Sequence, residues 1–171
     1  MIHRLEARHY KCLKRVDVVL KAFNILIGPN ASGKSTLLDI LKFLNDALQA
    51  DVERAVRKRA PSIRELVWMQ KDESFELALE VNIPQRVKHG HYTRVRYEVA
   101  LGLGEDRSIT VMEEYLWLVG DSTAPFPPTP GDQASDLFPR EMEDRDSILQ
   151  RKIPKESRVV VRKTEIGNAY F

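Results

Sequence analysis

The sequence predicts an α/β fold with a largely antiparallel β region, and three observations carry the prediction. "FNILIGPNASGKSTLLDILKFL", from Phe23 to Leu44, sets a short apolar run, a tight glycine-containing loop and a helix-periodic stretch in succession. Three stretches after residue 73 alternate apolar and polar residues, the strand period. Five of the nine prolines then fall between Asp121 and Pro139, which marks a loop or partly disordered insertion.

The elements follow in order. "IHRLEAR" alternates Ile2, Leu5 and Ala7 imperfectly with charged residues and reads as an edge-like strand. "KRVDVVL" reads as a second strand, with Val16, Val18 and Leu20 on one face. Phe23, Ile25, Leu26 and Ile27 form a continuous apolar run, the pattern of a strand buried on both faces of a parallel sheet. After the loop, Leu37, Leu38, Ile40, Leu41 and Leu44 recur at helical spacing. The good helix formers that follow extend the predicted helix to about residue 59, and Pro61 stops it.

"SFELALEVNI" from Ser74 to Ile83, "YTRVRYEVAL" from Tyr92 to Leu101 and "SITVMEEYLWLV" from Ser108 to Val119 predict an antiparallel meander solvated on one face. "PQRVKHGH" and the hairpin "LGEDRS" join them. "REMEDRDSILQRK" predicts a short helix, and "SRVVVRK" from Ser157 one more strand. The chain divides into residues 1–60, 74–119, 121–139 and 140–171 of a single, incomplete domain.

The loop carries the chemistry. Gly28, Gly33, Lys34 and Ser35 fit G-x-x-x-x-G-K-[ST], a phosphate-binding pattern. Its residues are Gly28, Pro29, Asn30, Ala31, Ser32, Gly33, Lys34, Ser35 and Thr36. The glycines permit a tight turn that brings backbone N–H groups against phosphate oxygens. The following helix adds its positive end and unpaired N–H groups. Lys34 supplies a compact charge for the β- and γ-phosphates, Ser35 a hydroxyl for Mg²⁺, and Thr36 reaches an α-phosphate oxygen. The expected ligand is a nucleoside triphosphate.

The 171 residues suffice for one modest domain, and a net charge of +2 does not by itself argue for nucleic acid. No apolar run approaches a membrane span, and "MIHRLEARHYK" is no signal peptide. Cys12 is the only cysteine, which excludes an internal disulfide and a cysteine metal cluster. A reducing, cytoplasmic setting without a membrane is the expectation. Cys12 reads as a packed small residue rather than a nucleophile.

"LEARHYKCLKRVDVVLKAFNILIGPNASGKSTLLDIL" resembles the ATP-binding-cassette-type ATPases of the RecF, SMC and overcoming-lysogenization-defect (OLD) group, the AAA family ATPases. The resemblance covers residues 1–49. Two strands precede the loop there as here, and the first ends in an Asn-Phe-Lys/Arg-like step. This chain has His9-Tyr10-Lys11 at that step, a departure at its first two positions. The resemblance implies ATP and Mg²⁺ as ligands, Lys11 as a nucleotide contact, and the N-terminal lobe of a P-loop ATPase of ABC type. It also implies a nucleotide-dependent homodimer, or a complex with a second protein, and a DNA-related role.

Hydrolysis in such ATPases needs an acidic Walker-B strand and a Ser-Gly-Gly-like signature turn. The sequence carries neither. "YLWLVGD" holds Gly120, lacks the Glu after Asp121, and reads as a strand end. No switch histidine stands out among His3, His9, His89 and His91, and Gln70 reads as an exposed turn residue. The chain stops at "EIGNAYF" within apparent structure, so the expectation is one lobe of a longer, truncated or split ATPase with little turnover of its own. Arg54, Arg57, Lys58, Arg59 and Arg64 form one basic cluster, and Arg86, Lys88, Arg94 and Arg96 another, with Tyr92 and Tyr97 interleaved. Such clusters suit DNA phosphates, but solvated helix and strand exteriors explain them as well. Two further readings remain open: a non-enzymatic nucleotide-dependent interaction module, and a small-molecule phosphotransferase, for which no Arg-bearing lid stands out.

Overall fold

The computed structural model describes residues 1–70, 72–88, 90–120, 147–151, 156–164 and 167–170. The strands are β1 (Ile2–Tyr10), β2 (Leu13–Val19), β3 (Ser74–Asn82), β4 (Tyr92–Leu103), β5 (Ile109–Gly120), β6 (Ser157–Thr164) and β7 (Gly167–Tyr170). They form one sheet in the order β2-β1-β3-β4-β5-β6-β7, and every pairing is antiparallel. The expected meander is present, and the turn after β4 closes with Gly104 N–H donating to Ser108 O at 2.8 Å.

β1 is not an edge strand. Both its edges are used, by β2 and β3, so the chain returns to its first strand only after both helices. β7 is an addition the sequence did not suggest.

The side-chain period of two gives the sheet two unlike faces. On one, Leu5, Ala7, Val16, Val18, Phe75, Leu77, Val99 and Leu101 are buried and join Leu37, Ile40, Phe43, Ala55 and Val56 of the helices in one core. Phe43, Phe75 and Tyr10 pack ring against ring at 5.0–5.8 Å.

The other face was expected to be solvated, and it is not. Arg4, Glu6, Glu80, Arg96 and Glu98 are almost wholly buried there. Their charges are neutralised pairwise. Arg4 holds Asp17 through Nε at 2.6 Å, and Arg96 bridges Glu6 and Glu98, the latter at 2.6 Å. Trp117 Nε1 donates to Glu98 Oε2 at 3.3 Å. Burial pushes the Glu6 carboxyl up despite Arg96 and Arg4 beside it.

This face also explains why Ser147–Arg151 is not helical. Ile148 N–H donates to Glu76 at 2.7 Å and Gln150 N–H to Glu98 at 2.8 Å. Those amides serve the sheet's carboxylates instead of helix carbonyls, while Ile148 and Leu149 bury their side chains against Trp117 and Tyr115. The remainder of the expected helix (140–146 and 152) and the Pro-rich stretch lie outside the described residues.

The single helix expected to residue 59 is two. α1 (Lys34–Gln49) ends at Ala50, and α2 (Val52–Arg57) restarts behind Asp51. Asp51 is extended (φ −163°, ψ 165°), and its carboxylate accepts from Arg54 N–H at 2.6 Å. A capping aspartate has more to gain there than as an interior helix residue.

The buried parallel strand at Phe23–Ile27 is absent. Residues 22–27 lie outside every strand, and Phe23, Ile25 and Ile27 are 78 %, 65 % and 87 % exposed. Only Leu26 turns onto the core. A parallel strand needs parallel neighbours, and all described strands are already committed to the antiparallel sheet.

Candidate phosphate-binding site

The loop from Gly28 to Gly33 turns back on itself before α1. Ser32 N–H donates to Pro29 O at 3.4 Å. Ala31 (φ 63°) and Gly33 (φ 91°) are left-handed. Gly33 caps α1 in that conformation, and Leu37 N–H donates to Gly33 O at 2.8 Å. At Gly28 the constraint is space, since a Cβ there would lie 2.9 Å from Ser32 Oγ. A side chain is costly at the left-handed Gly33, whereas at Gly28 it would meet only the end of the Ser32 side chain, which must rotate away.

Lys34 folds over this turn. Its ammonium donates to Gly28 O at 2.7 Å, Pro29 O at 2.6 Å and Ser32 Oγ at 3.3 Å. Ser35 is exposed, and Thr36 Oγ1 lies 3.2 Å from Cys12 Sγ. The first turn of α1 holds no acidic residue, so its positive end is not neutralised locally. Left-handed turn, glycine close approach, lysine and helix N-terminus together fit a triphosphate, and the Ser35 hydroxyl fits a magnesium ligand. Asn30 lies exposed in the loop.

One turn further along α1, three side chains converge on Asp39. Tyr10 Oη donates at 2.7 Å, Lys11 Nζ at 2.6 Å and Arg59 Nε at 2.9 Å. Burial raises the Asp39 carboxyl, but these donors outweigh it and hold the group below the usual carboxylate range. Arg59 continues to Asp46 at 2.9 Å and lies over the Phe43 ring at 5.2 Å.

Lys11 is thus held against α1 by an ion pair, in a left-handed turn (φ 51°) whose N–H donates to Leu66 O at 2.7 Å. A cleft of about 460 Å³ opens beside it, lined by Lys11, Arg59, Glu65, Leu66, Met69 and Gln70. Gln70 is an exposed turn residue, as expected, with φ 56°. Asp39 was not singled out in the sequence, where its only signal is position, one turn beyond Ser35 on the helix.

The other candidates separate from the loop. Cys12 is exposed rather than packed, because it falls in the tight turn between β1 and β2. His9 is buried, stacks on Trp68 at 5.8 Å and pairs with Asp72 at 2.6 Å. His91 is exposed beside Tyr92, and His89 and Asp121 lie outside the described residues. Residues Tyr115–Gly120 are the end of β5, consistent with a strand end.

Three members of the first basic cluster and two of the second are ion-paired. Arg57 pairs with Glu53, Lys58 with Asp46, and Arg59 with Asp39 and Asp46. Arg94 pairs with Glu80, and Arg96 is wholly buried. Arg54, Arg64 and Arg86 remain exposed. Among the described residues no group of three or more His, Cys, Asp or Glu could hold a metal ion, and no helix is long and apolar enough to cross a membrane.

A glycine loop, a lysine folded over it and a helix N-terminus free of acid define an α/β nucleotide-binding lobe. The AAA ATPase domain family matches residues 1–156, and the chain belongs to that family, as an ATP-binding lobe. Among solved structures, one from work on ATP-driven dimerization and DNA-stimulated activation of SMC ATPases aligns with a TM-score of 0.48 at 22 % identity, over 70 % of this chain and 69 % of that one. No curated protein matches.

Proposed function

We propose that this chain binds Mg²⁺-ATP through Gly28–Thr36 and acts as one half of a nucleotide-dependent, DNA-related ATPase in the cytoplasm. The observation that carries the reading is the Lys34 ammonium held at the mouth of a left-handed glycine loop on the acid-free N-terminus of α1. The bound nucleotide supplies the β–γ phosphoanhydride whose cleavage releases free energy. The chain's own part is to hold it. Loop N–H groups and Lys34 take the phosphates, Ser35 takes the metal and Thr36 the α-phosphate side. Lys11, held by Asp39, flanks the site.

Positioning and electrostatics dominate phosphoryl transfer, which also needs a group to orient the attacking water. The sequence has no four-residue apolar run followed by Asp-Glu to provide one. Hydrolysis therefore requires a Walker-B acid and a signature turn from outside these residues, which a second copy of the same residues would not supply. DNA enters the proposal through the resemblance of residues 1–49 to DNA-acting ATPases, rather than through the ion-paired basic clusters.

The test is equilibrium binding of ATP with and without Mg²⁺ to the native chain and to Lys34→Ala. The expected result is Mg²⁺-dependent binding weakened ten- to a hundredfold in the variant, the scale of losing hydrogen bonds from a charged donor, about 1.5–3 kcal/mol. Equal binding by both proteins refutes the site.

A further inference from the structure

The three donors that meet on the Asp39 carboxylate are not equivalent. Oδ1 takes Arg59 Nε at 2.9 Å. Oδ2 takes both Tyr10 Oη at 2.7 Å and Lys11 Nζ at 2.6 Å. Tyr10 is wholly buried and packs against Phe43 and Phe75. The Arg59 side chain is 9 % exposed, lies over the Phe43 ring and also holds Asp46. Both are tied to the core. The Lys11 side chain is 29 % exposed and lines the open cleft. Its departure leaves each Asp39 oxygen with one donor and the charge still paired with Arg59, so no buried acceptor is orphaned. Lys11 is the exchangeable member of the hub.

The backbone of Lys11 is fixed, and only its side chain has room to swing. Its N–H donates to Leu66 O at 2.7 Å, and the Tyr10–Leu13 pairing closes the turn. The same turn touches the start of α1, where Cys12 Sγ lies 3.2 Å from Thr36 Oγ1. Asp39 is three residues beyond Thr36, about 4.5 Å further along the helix axis. A flexible four-carbon stem covers that distance by rotation about its own bonds.

We propose that Asp39 competes with bound phosphate for the Lys11 ammonium, holding it one helical turn from the phosphate loop until a nucleotide draws it away, so that Asp39 restrains nucleotide affinity. The proposal rests on the ATP-binding reading and adds to it how that affinity is set. Tyr10 has the complementary part, since its hydroxyl stays on Oδ2 and keeps that oxygen satisfied when Lys11 leaves. The sign of the effect separates this device from a simple anchor. Loss of an anchor loosens the turn and weakens binding, whereas loss of a competitor strengthens it.

The test is equilibrium binding of Mg²⁺-ATP to the full 171-residue chain and to Asp39→Asn, Lys11→Met and the double variant, with thermal unfolding to show that each is folded. Asp39→Asn should bind about two- to tenfold more tightly than the native chain, the scale of a partly exposed ion pair. Lys11→Met should bind severalfold more weakly, and adding Asp39→Asn to it should change nothing further. Tyr10→Phe, which leaves Oδ2 with Lys11 alone, should weaken binding about two- to fivefold, again only while Lys11 is present; it decides the matter if Asp39→Asn does not fold. Equal or weaker binding by folded Asp39→Asn overturns the competition. So does tightening that persists in the Lys11→Met background, because the Asp39 charge then acts on the nucleotide without Lys11, and so does a Tyr10→Phe effect of the same size with and without Lys11. Binding that is lost in Lys34→Ala yet indifferent to Asp39→Asn removes this device and leaves the ATP site standing. No ATP binding by the folded native chain removes both.

Discussion

Gly28 leaves space that the end of the Ser32 side chain fills. A Cβ there would lie 2.9 Å from Ser32 Oγ, closer than real Cβ atoms come to their neighbours. Gly28→Ala should move Ser32 and loosen the turn that Lys34 covers. The expected outcome is ATP binding weakened about tenfold with the melting temperature nearly unchanged, because the loop contributes little to the core; calorimetric titration and thermal unfolding separate the two. Asp39 makes the opposite case, a residue that organises rather than binds. Its folded-state carboxyl lies below the usual range because Lys11, Tyr10 and Arg59 donate to it. A depressed carboxyl contributes stability that is present above its unfolded value, about pH 4, and is lost as pH falls through the folded value. Asp39→Asn should therefore cost about 1–3 kcal/mol near pH 7 and lose less on acidification than the native chain. Urea unfolding between pH 3 and 7 reads both.

Among the elements, the break between α1 and α2 and the charged sheet face carry the sharpest expectations. Asp51 caps α2 through Arg54 N–H at 2.6 Å, so Asp51→Ala should cost about 1 kcal/mol in urea unfolding. Arg96 is wholly buried between Glu6 and Glu98. Arg96→Ala takes the shared cation from two buried carboxylates, leaving Glu6 only Arg4 at 3.6 Å, and should destabilise by about 3–5 kcal/mol. The raised carboxyl of Glu6 works in the sense opposite to Asp39. Its contribution is present at low pH and is lost as pH rises through the folded value. The strands themselves were legible from alternation. Their buried charges were not, because alternation marks which residues share a face without telling whether that face meets water.

For the whole molecule, the expectation is binding without turnover. With no Walker-B run in its sequence, the chain should release phosphate from Mg²⁺-ATP no faster than Lys34→Ala does. A Lys34-dependent steady-state rate in a phosphate-release assay would overturn the half-ATPase reading.

The sequence by itself determined the glycine loop, the antiparallel meander and the start of α1. Each depends on local spacing: a motif of eight residues, a period of two, a period of 3.6. Only the tertiary structure decided the rest. It made Phe23–Ile27 an exposed segment instead of a buried strand, because a strand exists only where neighbours offer a ladder. It placed β1 between two strands, because β3 comes back to its free edge after more than 60 intervening residues. And it gathered Tyr10 and Lys11, at the end of β1, and Arg59, just past α2, onto Asp39 of α1, an approach no local pattern encodes.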